Sequence, residues 1–217
     1  GEIEILVVHH EMDVARRTIE DSLRDWISAE ARTSFTILSA PEGDYYALKN
    51  FGGSRARGDV IAFLDSDVIP EAGWLEAFAT TFADPRIDVV AGSAYLETTG
   101  LVQKALALGW YFPLRPQGHE NILATRFFAN NVAFRRRVFD AHPFPEIAGS
   151  SRGACQALAA ELLREGILIH RSLDAVVSHP APRGLRRTFE RAMAEGRDRL
   201  FSRRADPDRD VRLRKSA

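Results

Sequence analysis

The chain has 217 residues, of which 45% are hydrophobic and 27% charged, and its formal net charge is -1 at pH 7. This size and apolar content suffice for one packed globular unit, and the balanced charge gives no global electrostatic reason to expect a nucleic-acid partner. A single cysteine, Cys155, excludes an internal disulfide framework and agrees with a reducing compartment. No apolar run reaches the roughly 18 to 20 residues that cross a bilayer, and residues 3–8 are too short an apolar run for a signal peptide, so we expect a cytoplasmic protein.

Apolar runs rich in β-branched residues predict four strands in the first half of the chain. They cover residues 3–8, 35–38, 60–64 and 87–91. A helix capped by Asp13 is predicted between the first two strands, and a helix that follows Pro70 and Gly73 is predicted between the last two.

The second half, after Gly92, is predicted to contain a helix, a strand, a second helix and two short strands. These elements cover residues 101–110, 127–134, 154–165, 167–170 and 175–178. The second helix ends at Gly166, a residue suited to the left-handed conformation that follows many helices. Strands that alternate with helices, most clearly before Gly92, indicate an α/β fold with a mostly parallel central sheet flanked by helices.

Two acids, Asp65 and Asp67, directly follow the predicted strand over residues 60–64 and are separated only by Ser66. In open α/β sheets ligands bind beyond the carboxyl ends of the strands, which is where these side chains would lie. Residues i and i+2 of an extended segment point to the same side, so both carboxylates could face one divalent cation. Mg²⁺ or Mn²⁺ held in this way completes its shell with water and phosphate oxygens, which suits a nucleotide diphosphate. An exposed aspartate-rich turn is the structural alternative.

Three segments resemble, in the right order, a family 2 glycosyltransferase of the GT-A fold. The first, at residues 48–78, reads LKNFGGSRARGDVIAFLDSDVIPEAGWLEAF. It is similar to the family's run of a basic residue, Asn and Gly before an Ala-x-Gly-Asp turn, a strand and Asp-x-Asp. The second, FFANNVAFRRRVFD at residues 127–140, resembles the acceptor-side strand. The third, LLREGILIHRSLDAVVSHPAP at residues 162–182, resembles the closing helix and the strand pair that ends in His.

The resemblance implies a nucleotide-sugar donor and Mg²⁺ or Mn²⁺ as cofactor. Asp67 would bind the metal that bridges the diphosphate, Asp65 would contact the ribose or assist the metal through water, and His179 would be a further ligand of the metal or the diphosphate. The other donor-site residues that it implies lie after the first strand and around the third: Val8, His9, Glu11, Lys49, Asn50, Arg57 and Ser66. A structural histidine and solvated surface cations are the alternative interpretations of His179 and of the basic residues.

The loop after the second predicted strand departs from the family pattern. The family carries Asp-Asp-x-Ser or a similar acidic stretch there, with an Asp that contacts the base, whereas this chain reads SAPEGD. Asp44 or Glu42 could substitute, or base recognition could rest on backbone groups.

A second departure concerns the catalytic base. Inverting members carry Glu-Asp at the start of the helix that here ends at Gly166, and the matching positions are Ala154 and Cys155. A thiol has an ordinary pKa of about 8.5 that a helix amino terminus can lower, so Cys155 could serve as a weak base, although a packing role is the alternative. Glu146 is the better candidate base, ahead of Glu161, which lies along the helix.

The resemblance divides the chain into a GT-A domain over residues 1–182 and a basic helical tail over residues 183–217. Within the domain, residues 1–92 would form the nucleotide-binding half and residues 93–182 the acceptor-side half. Acceptor-side candidates are Trp110, Asn130 and Asn131, with a core position as the alternative for the tryptophan. We expect a saccharide or a lipid-linked acceptor.

The tail is basic, with twelve Lys and Arg against six Asp and Glu from Pro180 onward. An amphipathic basic helix is compatible with peripheral contact at the inner face of a membrane, which would suit a lipid-linked acceptor. A solvated helix that packs against the domain is the alternative.

Two other functions fit parts of the sequence. A phosphatase of the haloacid dehalogenase type also has a hydrophobic strand that runs into Asp-x-Asp, with Asp65 as nucleophile and Asp67 as acid/base, but the later paired acidic motif of such enzymes is not found after Val89 or Val176. A catalytically degenerate sugar-nucleotide-binding domain fits the missing Glu-Asp.

Overall fold

A computed structural model describes residues 2–10, 17–19, 21, 33–41, 43–98, 100–101, 122–147, 153–180 and 193. The predicted helix after Asp13, the predicted helix over residues 101–110 and the basic tail lie outside these ranges, apart from isolated positions. Among the helices that the structure describes, none combines the length and the hydrophobicity needed to cross a membrane.

Eight strands and four helices have defined bounds in the described ranges, besides the isolated helical residues at 17–19, 21, 101 and 193. The strands are β1 Ile3–His10, β2 Thr33–Ala40, β3 Val60–Leu64, β4 Ile69–Pro70, β5 Val89–Leu96, β6 Ile122–Ala124, β7 Asn131–Arg135 and β8 Ile169–His179. The helices are α1 Tyr45–Gly53, α2 Trp74–Thr81, α3 Arg136–Ala141 and α4 Ala154–Arg164. The strand predicted over residues 60–64 has the same bounds in the structure, whereas the two short strands predicted at the end of the domain are one strand, β8.

The strands form two sheets. β1 and β2 pair in parallel from Ile3↔Thr33 to His10↔Ala40. The larger sheet has the order β3-β7-β5-β8-β4, and β6 also pairs with β8. Only β5 and β8 pair in parallel there, among the pairings that the structure describes, and the other pairings are antiparallel. The α/β fold with flanking helices is confirmed, but its central sheet is mixed rather than mostly parallel, because β7 inserts in the opposite direction between β3 and β5.

Helices cover both faces of the larger sheet. Neighbouring residues of β5 alternate between the two faces: Val89 and Ala91 belong to an aromatic core with α4, and Val90 belongs to a second cluster with Phe78 of α2. The aromatic core contains rings in edge-to-face or tilted contact, which contributes stability beyond area burial. These rings are Phe63, Phe127, Phe134, Phe139 and Phe144. The ends of β3 and β7 are therefore held in a well-packed region.

Helix α1 begins at a specific cap. The Asp44 carboxylate accepts hydrogen bonds from the backbone N–H groups of Tyr46, at 3.0 Å, and Ala47, at 2.8 Å, which satisfies donors that have no partner within the first turn. Close packing fixes the other end of the helix, since a Cβ on Gly52 would lie 2.8 Å from Cγ2 of Val8 in β1. The helix thereby holds one face toward the residues that follow β3.

Candidate functional site

The residues after β3 turn back to the end of β8. Val68 is buried and packs in a cluster with Ala94 and Val177, and the next two residues form β4, in which Ile69 pairs with Ser178. This short antiparallel pairing sets Asp67 beside His179, with 3.4 Å between Oδ2 of the carboxylate and Nε2 of the ring.

His179 is the last residue of β8 and its side chain is 7% exposed. Its Nδ1 lies 2.8 Å from the carbonyl oxygen of Pro180. A carbonyl can only accept, so Nδ1 carries a proton and donates it, and Nε2 is the ring atom that faces Asp67. Metal-binding histidines are commonly oriented by such a backbone hydrogen bond. One carboxylate oxygen and one imidazole nitrogen thus converge, and this donor set fits a divalent cation.

Asp65 has different surroundings, because two side chains of α1 hold its carboxylate. Lys49 Nζ lies 2.6 Å from Oδ1, and the Tyr45 hydroxyl donates to Oδ1 at 2.8 Å and Oδ2 at 2.9 Å. Tyr45 and Lys49 are four residues apart on the helix and therefore share a face. The ammonium also lies over two rings, 4.8 Å from the centroid of Tyr45 and 5.7 Å from that of Phe63, which adds cation–π attraction.

The Tyr45 hydroxyl acts as a donor in this arrangement. Burial, and after it the negative charge of Asp65, raise the pKa of Tyr45 above its ordinary value. The phenol therefore keeps its proton across the physiological range. The two aspartates consequently differ in character: Asp65 is offset by Lys49 and held in place, whereas Asp67 faces an imidazole.

Two residues that the resemblance places around the donor bind other parts of the protein. The Asn50 amide donates to the carbonyl of Phe144 at 2.8 Å and accepts from its N–H at 3.0 Å, so Asn50 ties α1 to the segment before α4. Arg57 donates to the Glu4 carboxylate through its backbone N–H and its Nε, although its side chain is 75% exposed.

The residues near the end of β1 and the base-contact candidate of the next loop have structural partners too. His9 is buried, with Nε2 3.1 Å from Ser39 Oγ and Nδ1 2.7 Å from the carbonyl of His10. Val8 packs against α1, and Asp44 caps that helix. Ser66 is exposed between the two aspartates. Glu11, Glu42 and Trp110 lie outside the described residues.

A buried thiol stands where the resemblance led us to expect the family's catalytic base. Cys155 is in the first turn of α4, within the aromatic core, and its sulfur lies 2.9 Å from the Tyr46 hydroxyl. Burial raises the pKa of the Cys155 thiol, so the group is neutral at neutral pH. This geometry favours the packing role over the role as base. Glu146 is exposed, and Glu161 is 2.9 Å from His142 Nδ1.

Asn131, expected on the acceptor side, is committed to the fold. Its Nδ2 donates to the carbonyls of Ser93 at 3.0 Å and Ala175 at 2.9 Å, and its Oδ1 accepts from Trp74 Nε1 at 2.9 Å. A Cβ on Gly92 would lie 2.3 Å from Nδ2, so only glycine leaves room for this amide. The contacts favour a structural role for Asn131, which links β5, β7, β8 and α2. Sequence reasoning missed the participation of Tyr45, for which the i, i+4 spacing to Lys49 was the available signal.

Comparison with solved structures defines the class of fold. GalNAc-T7 in complex with UDP, GalNAc and Mn²⁺ is 14% identical with a TM-score of 0.59, over 82% of this chain and 37% of that protein. The mannosyltransferase PcManGT from Pyrobaculum calidifontis, in complex with GDP-Man and Mn²⁺, is 19% identical with a TM-score of 0.57, over 88% of this chain and 55% of that one. The fold is that of the GT-A glycosyltransferases.

Sequence comparison gives the family. The model of Glycosyl transferase family 2 matches residues 9–142, and the chain belongs to this family. The pre-mycofactocin glycosyltransferase of Mycobacterium tuberculosis is 47% identical over 45 residues, which are 21% of this chain and 10% of that protein. Glycosyltransferase AglE of Haloferax volcanii is 30% identical over 90 residues, which are 42% of this chain and 28% of that protein. The chain therefore spans less than a third of the length of these relatives.

Proposed function

We propose that this chain transfers a sugar from a nucleotide-diphosphate sugar to the hydroxyl of a saccharide or lipid-linked acceptor, with a divalent cation held by Asp67 and His179. One observation carries the proposal: the 3.4 Å approach of Asp67 Oδ2 to His179 Nε2 at the ends of β3 and β8. Membership of Glycosyl transferase family 2 supports sugar transfer and removes the reason for considering a phosphatase.

The donor set favours Mn²⁺ over Mg²⁺. Mg²⁺ is a hard cation that prefers oxygen ligands, and an imidazole nitrogen suits it less well than it suits a transition metal. Two of the solved structures that resemble this chain in fold, GalNAc-T7 and PcManGT, were obtained with Mn²⁺. When bound, the cation offsets the negative charge that develops on the departing diphosphate.

Asp65 would hold a hydroxyl group of the nucleotide rather than the metal. Its Oδ1 already accepts from Lys49 and Tyr45, and its Oδ2 accepts only a shared hydrogen from Tyr45 among the described contacts. A carboxylate oxygen has two lone pairs, so Oδ2 retains the capacity to accept from a ribose hydroxyl. Lys49 and Tyr45 would then be positioning residues.

Glu146 would deprotonate the acceptor hydroxyl. It lies on the segment between α3 and α4, two residues after Phe144, whose backbone Asn50 ties to α1. The exposed carboxylate is therefore close in sequence to a point anchored on the helix that holds Asp65. General-base assistance of this kind contributes roughly 10² to 10⁴ in rate.

A second candidate function is binding of a nucleotide sugar without turnover. The specific observation in its favour is the start of α4, where Ala154 and a buried Cys155 stand at the positions of the family's Glu-Asp pair. In that case Asp65, Asp67 and His179 would bind the donor and Glu146 would have no catalytic role.

The membrane and acceptor assignments rest on the basic tail and on the resemblance. The excess of Arg in residues 183–217 would draw the chain to an anionic surface. A lipid-linked acceptor would then be presented at the inner face of a membrane.

Titration calorimetry with UDP and with GDP, each with and without Mn²⁺, tests the proposed function. We expect one nucleoside diphosphate to bind only when Mn²⁺ is present, and Asp67→Ala to weaken this binding at least tenfold, because one of two protein ligands is lost. Asp140→Ala, which removes an exposed carboxylate at the end of α3, is the matched control and should leave the affinity unchanged. Binding of the same strength in Asp67→Ala, or without metal, would exclude the metal role.

A further inference from the structure

The carboxamide oxygen of Asn130 is buried without a hydrogen bond. The residue is 5% exposed, and its Oδ1 is the one buried side-chain oxygen or nitrogen that has no partner within the part of the chain that the structure describes. Leaving a buried acceptor unsatisfied costs about 1 to 3 kcal/mol. Such groups are few in native proteins, and a hydrogen-bond donor from a ligand or an ordered water commonly satisfies them.

The hydrogen bonds of the next residue, Asn131, show that this region of the protein offers hydrogen-bond partners to a buried amide. Asn131 satisfies both ends of its amide with three hydrogen bonds to neighbouring elements. The two asparagines are adjacent and both are buried, but one is built into the fold and the other keeps its acceptor unused. Two identical side chains in sequence therefore have different roles.

Strand register places Asn130 at the candidate site. β7 begins at Asn131, which pairs with Leu64, the last residue of β3. Continued by one position, the antiparallel register sets Asn130 across from Asp65. Asn130, a turn residue, and Asp65 thus both lie one position beyond the last pair at this end of β3 and β7, and the Asp65 side chain contacts α1 there.

The same turn borders the position of the usual catalytic base. The backbone of Ala129 interacts with the thiol of Cys155 at the start of α4. Asn130 thus lies between Asp65, on the nucleotide side, and the start of α4, where the family's acceptor-activating residues would stand. In the proposed function the transferred sugar extends from the nucleotide held at Asp65, so it would lie next to this turn.

On the basis of the proposed function, we propose that Asn130 Oδ1 accepts a hydrogen bond from a hydroxyl of the transferred sugar and thereby contributes to donor specificity. The oxygen is an acceptor only, so it cannot pair with phosphate oxygens, which are also acceptors. The transferred sugar carries several hydroxyl groups that can donate a hydrogen bond to this oxygen. A hydroxyl group of the acceptor substrate could donate the same hydrogen bond.

Calorimetry in the presence of Mn²⁺ separates these sources. Two pairs of ligands are first measured with the wild-type chain: UDP with UDP-GlcNAc, and GDP with GDP-mannose. The pair that binds more tightly is then used to compare the wild type with the variant. Asn130→Ala should leave the Kd of the nucleoside diphosphate within about twofold and raise the Kd of its sugar derivative about tenfold, the effect of one hydrogen bond. Equal losses for both probes, or no loss for either, would overturn the assignment to the donor sugar. A raised acceptor KM with unchanged donor affinity would assign the hydroxyl to the acceptor instead.

Stability gives a second readout that a structural asparagine would not produce. Asn130→Leu replaces the unsatisfied amide by an apolar group of similar size, and we expect the melting temperature of the ligand-free protein to rise by about 2 to 4 °C. A fall would show that the amide stabilises the fold and would contradict the inference. Failure of the wild-type chain to bind any of the four probes would overturn the proposed function itself, whereas wild-type binding that Asn130→Ala does not change would overturn only this inference.

Discussion

Replacing Lys49 by methionine tests whether α1 holds Asp65 in place. Methionine keeps most of the apolar stem of the side chain and removes the ammonium group, with its charge and its hydrogen bond to Asp65. The Lys49–Asp65 contact is 2.6 Å long, and the two side chains are 9% and 21% exposed, so water can replace the ammonium only in part. We therefore expect the free energy of unfolding to fall.

The size of the effect follows from the burial and the charge. A hydrogen bond to a charged group contributes about 1.5 to 3 kcal/mol. Because the Tyr45 hydroxyl still donates to the Asp65 carboxylate in the variant, we expect Lys49→Met to lower the free energy of unfolding by about 2 kcal/mol. For a chain of this size, 1 kcal/mol moves the melting temperature by about 2 to 4 °C, so the expected fall is roughly 4 to 8 °C. The Kd of the bound nucleoside diphosphate should also rise about tenfold, because the Asp65 carboxylate loses its orientation.

Thermal melts and a double-mutant cycle measure the pair. In the cycle of Lys49→Met with Asp65→Asn, the double variant removes both charges and leaves neither unpaired, so we expect a coupling free energy of at least about 1 kcal/mol. Arg86→Met is the control, since the Arg86–Asp84 contact has a similar length of 2.7 Å but Arg86 is 87% exposed, and such surface pairs contribute little. A Lys49→Met melting temperature no lower than that of the control, with no coupling, would refute the reasoning.

Two further predictions concern the identity of the base. Glu146→Gln should lower kcat by a factor of roughly 10² or more and leave the Kd of the nucleotide-sugar donor unchanged. Cys155→Ala should keep kcat within about twofold of the wild-type value. If steady-state kinetics gave the reverse of these two results, the base would be the thiol. Cys155 should react with a thiol reagent far more slowly in the folded than in the unfolded protein, and because burial raises the pKa of its thiol, labelling of the folded protein should stay slow even near pH 8.5, where a free thiol is half ionised. Equal labelling rates for folded and unfolded protein would contradict the buried position.

The sequence by itself determined those strands and helices that are specified by residues close together in the chain. The run of apolar residues in β3 predicts the same strand that the structure contains, because the burial of a strand and the exposure of its end are encoded in neighbouring residues. The helix α4, with Leu158 and Leu162 on its buried face, was likewise predictable from its period. Helix α1 was not, because two tyrosines and two glycines among its nine residues are weak helix formers and the Asp44 cap is what starts it.

Tertiary structure alone decided how these elements meet. The insertion of β7 between β3 and β5 made the sheet mixed, and strand order depends on pairings between residues far apart in the chain, which a local pattern does not contain. The same applies to the site: Lys49 reaches Asp65, His179 reaches Asp67 and Cys155 is enclosed by the core only after the chain has folded. Asn130 and Asn131 are the same residue type in adjacent positions, and their different surroundings arise because successive residues near a strand face opposite sides of the sheet.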